Sequence, residues 1–290
     1  MYTPGGLRVL TKSLEGDVVQ IVSGGVSDLG RVRTNNEDSF RIVEAQNLFI
    51  LSDGMGGEAH GEVASAMAVD TIAKYCAEPS EAKDEGVTLH GSALESWGPQ
   101  TKKLQNAVFQ ANFAIYQSAQ EHPEQRGMGA TLTAGWVNGN KLSLAHVGDS
   151  RAYLLRAGSL QQLSSDHSLV AEQVRRGILT PQQAEESDMQ SVLLRALGAH
   201  PEVEVDVEEI DLIPRDVLLF CSDGLTRMVT EPEIAGTLQA ETDPVAAAQK
   251  LVDLANERGG LDNVTVVVAR VQDESKSWFS WLRRDSGSKG

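Results

Sequence analysis

Apolar and polar positions along this chain follow two periods. Strand-like alternation or short apolar runs occupy 20–26, 39–43 and 48–51. The last of these, Leu48-Phe49-Ile50-Leu51, stops abruptly at Ser52-Asp53-Gly54, which places Asp53 at a strand end. A helix follows over 61–76, with Val63, Met67 and Ile72 among many small residues, the composition of a closely packed core helix. Residues 78–99 are polar and carry Gly and Pro, so they read as a loop. A second helix covers 102–120, where Leu104, Val108, Ala111 and Ile115 recur at intervals of four, three and four and share a face. Strand signals return at 130–137, 141–147, 152–155 and 160–163, with Asn138-Gly139 as a hairpin signal between the first two. A helix is expected over 166–177, stopped by Gly177. Thr180 and Pro181 suit the N-cap and first turn of another. Strands at 202–210, 216–222 and 263–271 complete the pattern. Between the last two lie helices at 231–239 and 244–258, the second ended by Gly259-Gly260.

Strands come in runs and helices in pairs, without the regular βαβα alternation of a parallel-sheet enzyme. That predicts an α+β fold of mostly antiparallel sheets with helices packed outside. No internal repeat and no linker interrupts 19–271, so one domain is expected there. An irregular arm, 1–18, precedes it, and a flexible or amphipathic tail, 272–290, follows. The tail holds Trp278-Phe279-Ser280-Trp281-Leu282-Arg283-Arg284. That stretch suits contact with a membrane surface or a partner, although a docked or frayed terminus is the commoner outcome.

Composition narrows the picture. Of 290 residues, 41% are hydrophobic and 23% charged, as in a folded globular chain. The net charge of −16 argues against nucleic acid as a partner, because phosphate backbones are held by Lys and Arg. The excess of carboxylates is either a solvated surface or, at a few positions, a metal site. Cys76 and Cys221 form no Cys-x-x-Cys pair and read as buried free thiols in a reducing compartment. No secretory signal opens the chain, and no apolar stretch approaches the roughly 20 residues of a membrane span. A cytoplasmic location is the resulting expectation.

The candidate chemistry lies in a recurring setting, an apolar strand meeting Asp beside Gly or Asn. Asp53, Asp149, Asp223 and Asp262 share it, and Asp38 precedes a strand. Singly, each is cheaply explained as a turn, with Asp bonding its own backbone and Gly supplying positive φ. As a set, carboxylates at strand ends can converge, and converging carboxylates need cations between them. Oxygen ligands suit hard ions such as Mg²⁺ or Mn²⁺.

Six blocks in order carry a resemblance: Thr34-Asn35-Asn36-Glu37-Asp38, Ser52-Asp53-Gly54-Met55-Gly56-Gly57, Gly129-Ala130-Thr131, His146-Val147-Gly148-Asp149-Ser150-Arg151, Ser222-Asp223-Gly224-Leu225 and Asp262-Asn263-Val264-Thr265. Together they resemble the bacterial form of the type 2C, metal-dependent serine/threonine protein phosphatases, over 22–271. The resemblance implies a four-layer αββα sandwich and hydrolysis of phosphoserine and phosphothreonine by a metal-activated water. It also implies two Mn²⁺ or Mg²⁺ ions and a third at a weaker site. Asp53 would bridge the two ions, with the Gly54 carbonyl, Asp223 and Asp262 completing the first site. Glu37 and Asp38 would hold the second ion. Asp149, joined by Ser191, would hold the third. Arg33 would grip the substrate phosphate, and Asn263 would support Asp262. The implied partners are phosphorylated proteins and a Ser/Thr kinase whose products are reversed. Two other readings are a phosphatase dedicated to one regulatory partner, of the anti-sigma antagonist type, and a non-catalytic phosphoprotein-binding pseudo-phosphatase.

Met55 departs from the pattern of many eukaryotic members, where a His follows Asp-Gly and is proposed to protonate the leaving oxygen. His60 is near in sequence, and the simpler reading makes it a helix-start residue. His146 reads as a satisfied core imidazole and His167 as a helix cap. The segment 166–197 matches the family's flap beside the active site. Its Arg175 and Arg176 are either contacts for an acidic phosphopeptide or part of a solvated helix face.

Overall fold

The structure, a computed structural model, describes residues 19–56, 60–79 and 97–272. The arm at 1–18, the Trp-rich part of the tail, Gly57 and most of the loop at 78–99 lie outside the described residues.

Eleven strands and seven α-helices are described. In chain order they are β1 (Ile21–Asp28), β2 (Asp38–Val43), β3 (Leu48–Met55), α1 (His60–Ala77), α2 (Pro99–Glu121), β4 (Gly129–Ala130), β5 (Leu132–Asn138), β6 (Lys141–Val147), β7 (Arg151–Arg156) and β8 (Ser159–Gln162). Then come α3 (Leu169–Arg175), α4 (Pro181–Glu185), β9 (Asp206–Asp211), β10 (Val217–Cys221), α5 (Asp223–Thr226), α6 (Glu231–Ala240), α7 (Pro244–Glu257) and β11 (Val264–Val271). One sheet runs β1-β11-β10-β7-β8. The other runs β2-β3-β5-β6-β9, with β4 paired to β3. The pairings within both are antiparallel.

Alternation along the central strands builds the layers. On β3, Phe49 and Leu51 face the other sheet, while Leu48 and Ile50 face α1 and α2. On β11, Val267 and Ala269 point between the sheets, while Val266 and Val268 point to α5, α6 and α7. Both faces of these strands are therefore dry, and the αββα sandwich follows from side chains that alternate across each strand. Phe49 and Phe220 stack across the middle with ring centroids 5.9 Å apart. Among the described residues no helix is long and apolar enough to cross a membrane.

Several boundaries differ from the sequence expectation. The helix α2 begins at Pro99 rather than 102, with Pro in its first turn. The strand β9 begins at Asp206 rather than 202. Its partner β6 ends the pairing at His146, opposite Asp206, and then turns away, so the alternating residues at 202–205 have nothing to pair with. The helix α3 begins at Leu169 rather than 166, because Ser168 caps it by accepting from the Ala171 N–H. Thr180 and Gln183 form the capping box of α4.

Candidate active site

Antiparallel pairing brings the start of β2, the end of β3, the end of β10, the start of β11 and the start of β7 to one rim of the sandwich. Asp38 sits opposite Asp53 in the β2–β3 register. Asp223 follows β10, Asp262 precedes β11, and Asp149 lies in the turn from β6 to β7. The carboxylates repel one another: Asp53 is raised first by burial and then by Asp38, Asp223, Asp149 and Asp262.

The backbone around them is closely fitted. The Asp53 N–H donates to Thr131 Oγ1 (3.0 Å), the Thr131 N–H donates back to the Asp53 carbonyl (2.8 Å), and Thr131 Oγ1 lies 2.7 Å from Ser150 Oγ. The Asp53 strand is thereby tied to the Asp149 turn. Gly54 and Gly224 are not turn glycines. Asp53-Gly54 continues β3, and Asp223-Gly224 opens α5. What excludes a side chain is close approach: a Cβ on Gly54 would lie 2.0 Å from the Gly61 carbonyl oxygen, and one on Gly224 would lie 2.0 Å from that of Asn263. The turn explanation of these two Asp-Gly pairs is therefore wrong. Asn263 acts as a clamp. Its Nδ2 donates to the carbonyls of Leu29 (3.0 Å) and Asn35 (2.9 Å), and its Oδ1 accepts from the Glu37 N–H (2.8 Å). That fixes the loop that carries Arg33 and Glu37.

Asp38 Oδ2 accepts from Ser222 Oγ (2.8 Å), a contact between the two sheets. Asp38 Oδ1 and Asp223 Oδ1 are buried with no partner. Burial pushes the Asp38 carboxyl up to about 7; hydrogen bonds oppose the shift, and Asp223 and Asp262 add to it. Burial, then Asp223 and Asp166, push Asp149 up to about 7. Asp223 is raised by burial and partly offset by Arg227, while Glu37 is raised by burial against the pull of Arg33. An all-oxygen set with mutual repulsion and bare buried oxygens fits a hard divalent cation.

Two arginines meet this set. Arg33 holds Asp262 through Nε–Oδ1 and Nη2–Oδ2 contacts of 2.9 Å each. Arg227 places Nη2 2.5 Å from Asp223 Oδ2 and Nη1 3.5 Å from Asp262 Oδ2. With these pairs in place, no three His, Cys, Asp or Glu side chains among the described residues form a ready-made metal cage. The sequence reading does not single out Arg227. Its signal is a spacing of four residues after Asp223, visible only once Asp223 is read as opening a helix.

The flap is separate from the carboxylates but anchored beside them. Arg151 grips Asp166 through Nε and Nη2. His167 does not cap α3. Its Nδ1 accepts from the Gly148 N–H (3.1 Å), which leaves its proton on Nε2, 3.0 Å from Asp206 Oδ2. Ser191 lies exposed in a flap turn, and no hydrogen bond or ion pair joins it to the aspartates. Arg175 and Arg176 are both paired with Glu172. His146 is a satisfied core imidazole, held by Thr133 Oγ1 and the Ser165 carbonyl, and burial lowers it to about 4. His60 opens α1, close enough to Glu37 to influence its charge. Met55 pairs with Gly129 at the end of β3. Both thiols are buried and free, and burial raises each to about 12.

The fold and this rim define a class first: a two-sheet αββα sandwich with a carboxylate centre beside a surface arginine. Within that class, the chain belongs to the protein phosphatase 2C family, whose family model matches residues 30–257. It is 40% identical over 247 residues to the serine/threonine protein phosphatase PstP of Mycobacterium tuberculosis, an alignment covering 85% of this chain and 44% of that protein. The chain thus spans less than half the length of that relative. It is 37% identical over 245 residues to the serine/threonine phosphatase stp of Listeria welshimeri, covering 83% of this chain and 92% of that one. Among solved structures, the PstP catalytic domain in complex with two manganese ions superposes with a TM-score of 0.75 at 39% identity, covering 88% of this chain and all of that one. Stp1 of Staphylococcus aureus superposes at 0.77 with 31% identity, covering 91% and 100%.

Proposed function

We propose that this chain hydrolyses phosphoserine and phosphothreonine in proteins at a centre for two Mn²⁺ or Mg²⁺ ions. Asp53 would bridge them, with the Gly54 carbonyl, Asp223 and Asp262 on the first ion and Glu37 and Asp38 on the second. Asp149, with Ser191, would serve a third, weaker site. The observation that carries the reading is the meeting of buried carboxylates from both sheets, two of them with bare buried oxygens, at a rim that also presents Arg33.

When bound, the ions supply a water acidified toward neutral pH and positive charge against the phosphate. The chain's own groups do the rest. Asn263 and the Glu37 loop fix the acidic side chains relative to both sheets. Arg33, half-exposed, has its planar fork on Asp262 and would turn it to the phosphate oxygens once a metal holds that carboxylate, a geometry Lys cannot copy. Met55 has no proton to give, which leaves the departing serine or threonine oxygen to be protonated by water. The presence of every implied ligand type and of Arg33 speaks against a non-catalytic role. The implied partners are phosphoproteins and the kinase that makes them, and the cytoplasm is the proposed setting.

The test is hydrolysis of an aryl phosphate and a phosphothreonine peptide with Mn²⁺ or Mg²⁺, and then with chelator. Turnover should require metal, and Asp53→Asn or Asp223→Asn should lower it by on the order of 10²-fold or more. Activity that survives full metal removal, or full activity in either variant, overturns the reading.

A further inference from the structure

Arg227 touches this centre and has no role in the reading above. It stands at the C-terminal end of the four-residue helix α5, whose first residue is Asp223. One turn of helix therefore brings its guanidinium back onto Asp223 Oδ2. Its second nitrogen reaches Asp262 Oδ2, the oxygen that Arg33 Nη2 also holds. Two guanidiniums on one carboxylate oxygen repel each other. The arrangement persists only where the local negative charge exceeds what one arginine can offset.

We propose that Arg227 is a resident counter-cation of this centre, competing with a divalent ion for Asp223 and Asp262 and so setting how much metal fills the site. The proposal rests on the two-metal reading above. An ordinary i,i+4 ion pair between solvated side chains carries little weight. This pair differs, because the Asp223 side chain is only 13% exposed and its other oxygen is buried and bare. A guanidinium tethered four residues away is present at high effective concentration, so an incoming ion meets an Asp223 carboxylate already part-neutralised through Oδ2 and must compete with that charge. The Arg227 side chain, 28% exposed, borders solvent. Arg33 differs in reach: it lies across the rim on the Asn263-clamped loop and holds Asp262 alone.

The experiment is calorimetric titration of Mn²⁺ into the metal-stripped full chain, as wild type, Arg227→Gln, Arg227→Lys and Asp223→Asn. Removing the competing charge in Arg227→Gln should tighten Mn²⁺ binding by about fivefold or more. The Lys variant, which keeps the charge, should stay nearer wild type. The rise in melting temperature on Mn²⁺ saturation should also be larger for Arg227→Gln, because its metal-free form has lost a counter-charge and its metal-bound form has not. Equal or weaker Mn²⁺ binding by Arg227→Gln, beside a wild type that binds and an Asp223→Asn that does not, overturns this proposal alone. A wild type that takes up no Mn²⁺ overturns the two-metal reading and this proposal with it.

Discussion

Asp38 gives one oxygen to Ser222 and leaves the other bare inside the protein. Its carboxyl and that of Asp149 are pushed up to about 7, so at neutral pH the metal-free fold still holds part of their protons. The sign follows from linkage. Between the unfolded value near 3.8 and the folded value, the fold binds protons that the unfolded chain has released. This stabilisation is present at low pH and fades as the pH rises through the folded value. A metal must expel the same protons, so its hold strengthens over that window, by up to about 1.4 kcal/mol per pH unit for each proton released. The gain in melting temperature on adding Mn²⁺ should therefore grow between about pH 5 and pH 7 and then level off. A gain that does not change with pH would contradict protonated Asp38 and Asp149 carboxyls in the metal-free fold.

At the scale of elements, Asn112 on α2 holds the exit of the flap. Its Nδ2 donates to the carbonyls of His200 and Pro201, and its Oδ1 accepts from the Gly198 N–H. The side chain is buried, so Asn112→Ala strands backbone groups and should cost about 1–3 kcal/mol in urea denaturation. Cleavage by a protease within 166–200 should rise with it. Arg176→Ala, at the exposed C-cap of α3, should stay within about 0.5 kcal/mol of wild type. Loss of equal size in both would argue against a localised anchor. The same region shows what sequence conveys and what it leaves out. Thr180 and Pro181 announce the start of α4 by local chemistry alone. His167 and Asp166 look like a helix start, but their side chains are committed to Gly148, Asp206 and Arg151, partners set by the fold. Asp53, Asp223 and Asp262 are legible as a set because each stands beside a strand boundary. Arg227 is not, because its meaning depends on α5, a helix too short to show a periodicity.

Across the whole molecule, the two sheets are joined through a shared dry layer in which Phe220 stacks on Phe49 and fills the space left by Gly135. Phe220→Ala should cost about 3–5 kcal/mol. Because the loss falls on a layer common to both sheets, unfolding should remain one transition, seen alike by tryptophan fluorescence and far-ultraviolet circular dichroism. Two separated transitions would contradict the single domain expected over 19–271. The pattern of apolar positions conveys the strands and their alternation, but not their partners. The pairing of β1 with β11 joins Ile21 to Val271, a separation that no local periodicity records.

That pairing also has a consequence for synthesis. The strand β11 lies between β1 and β10, so until residues 264–271 leave the ribosome, β1 waits unpaired and cut off from the rest of its sheet. Asp262 and Asn263 arrive with it, and the Glu37 loop has no clamp before then. On the proposed reading, a nascent chain therefore carries Asp53 long before the carboxylates it would work with are all in place.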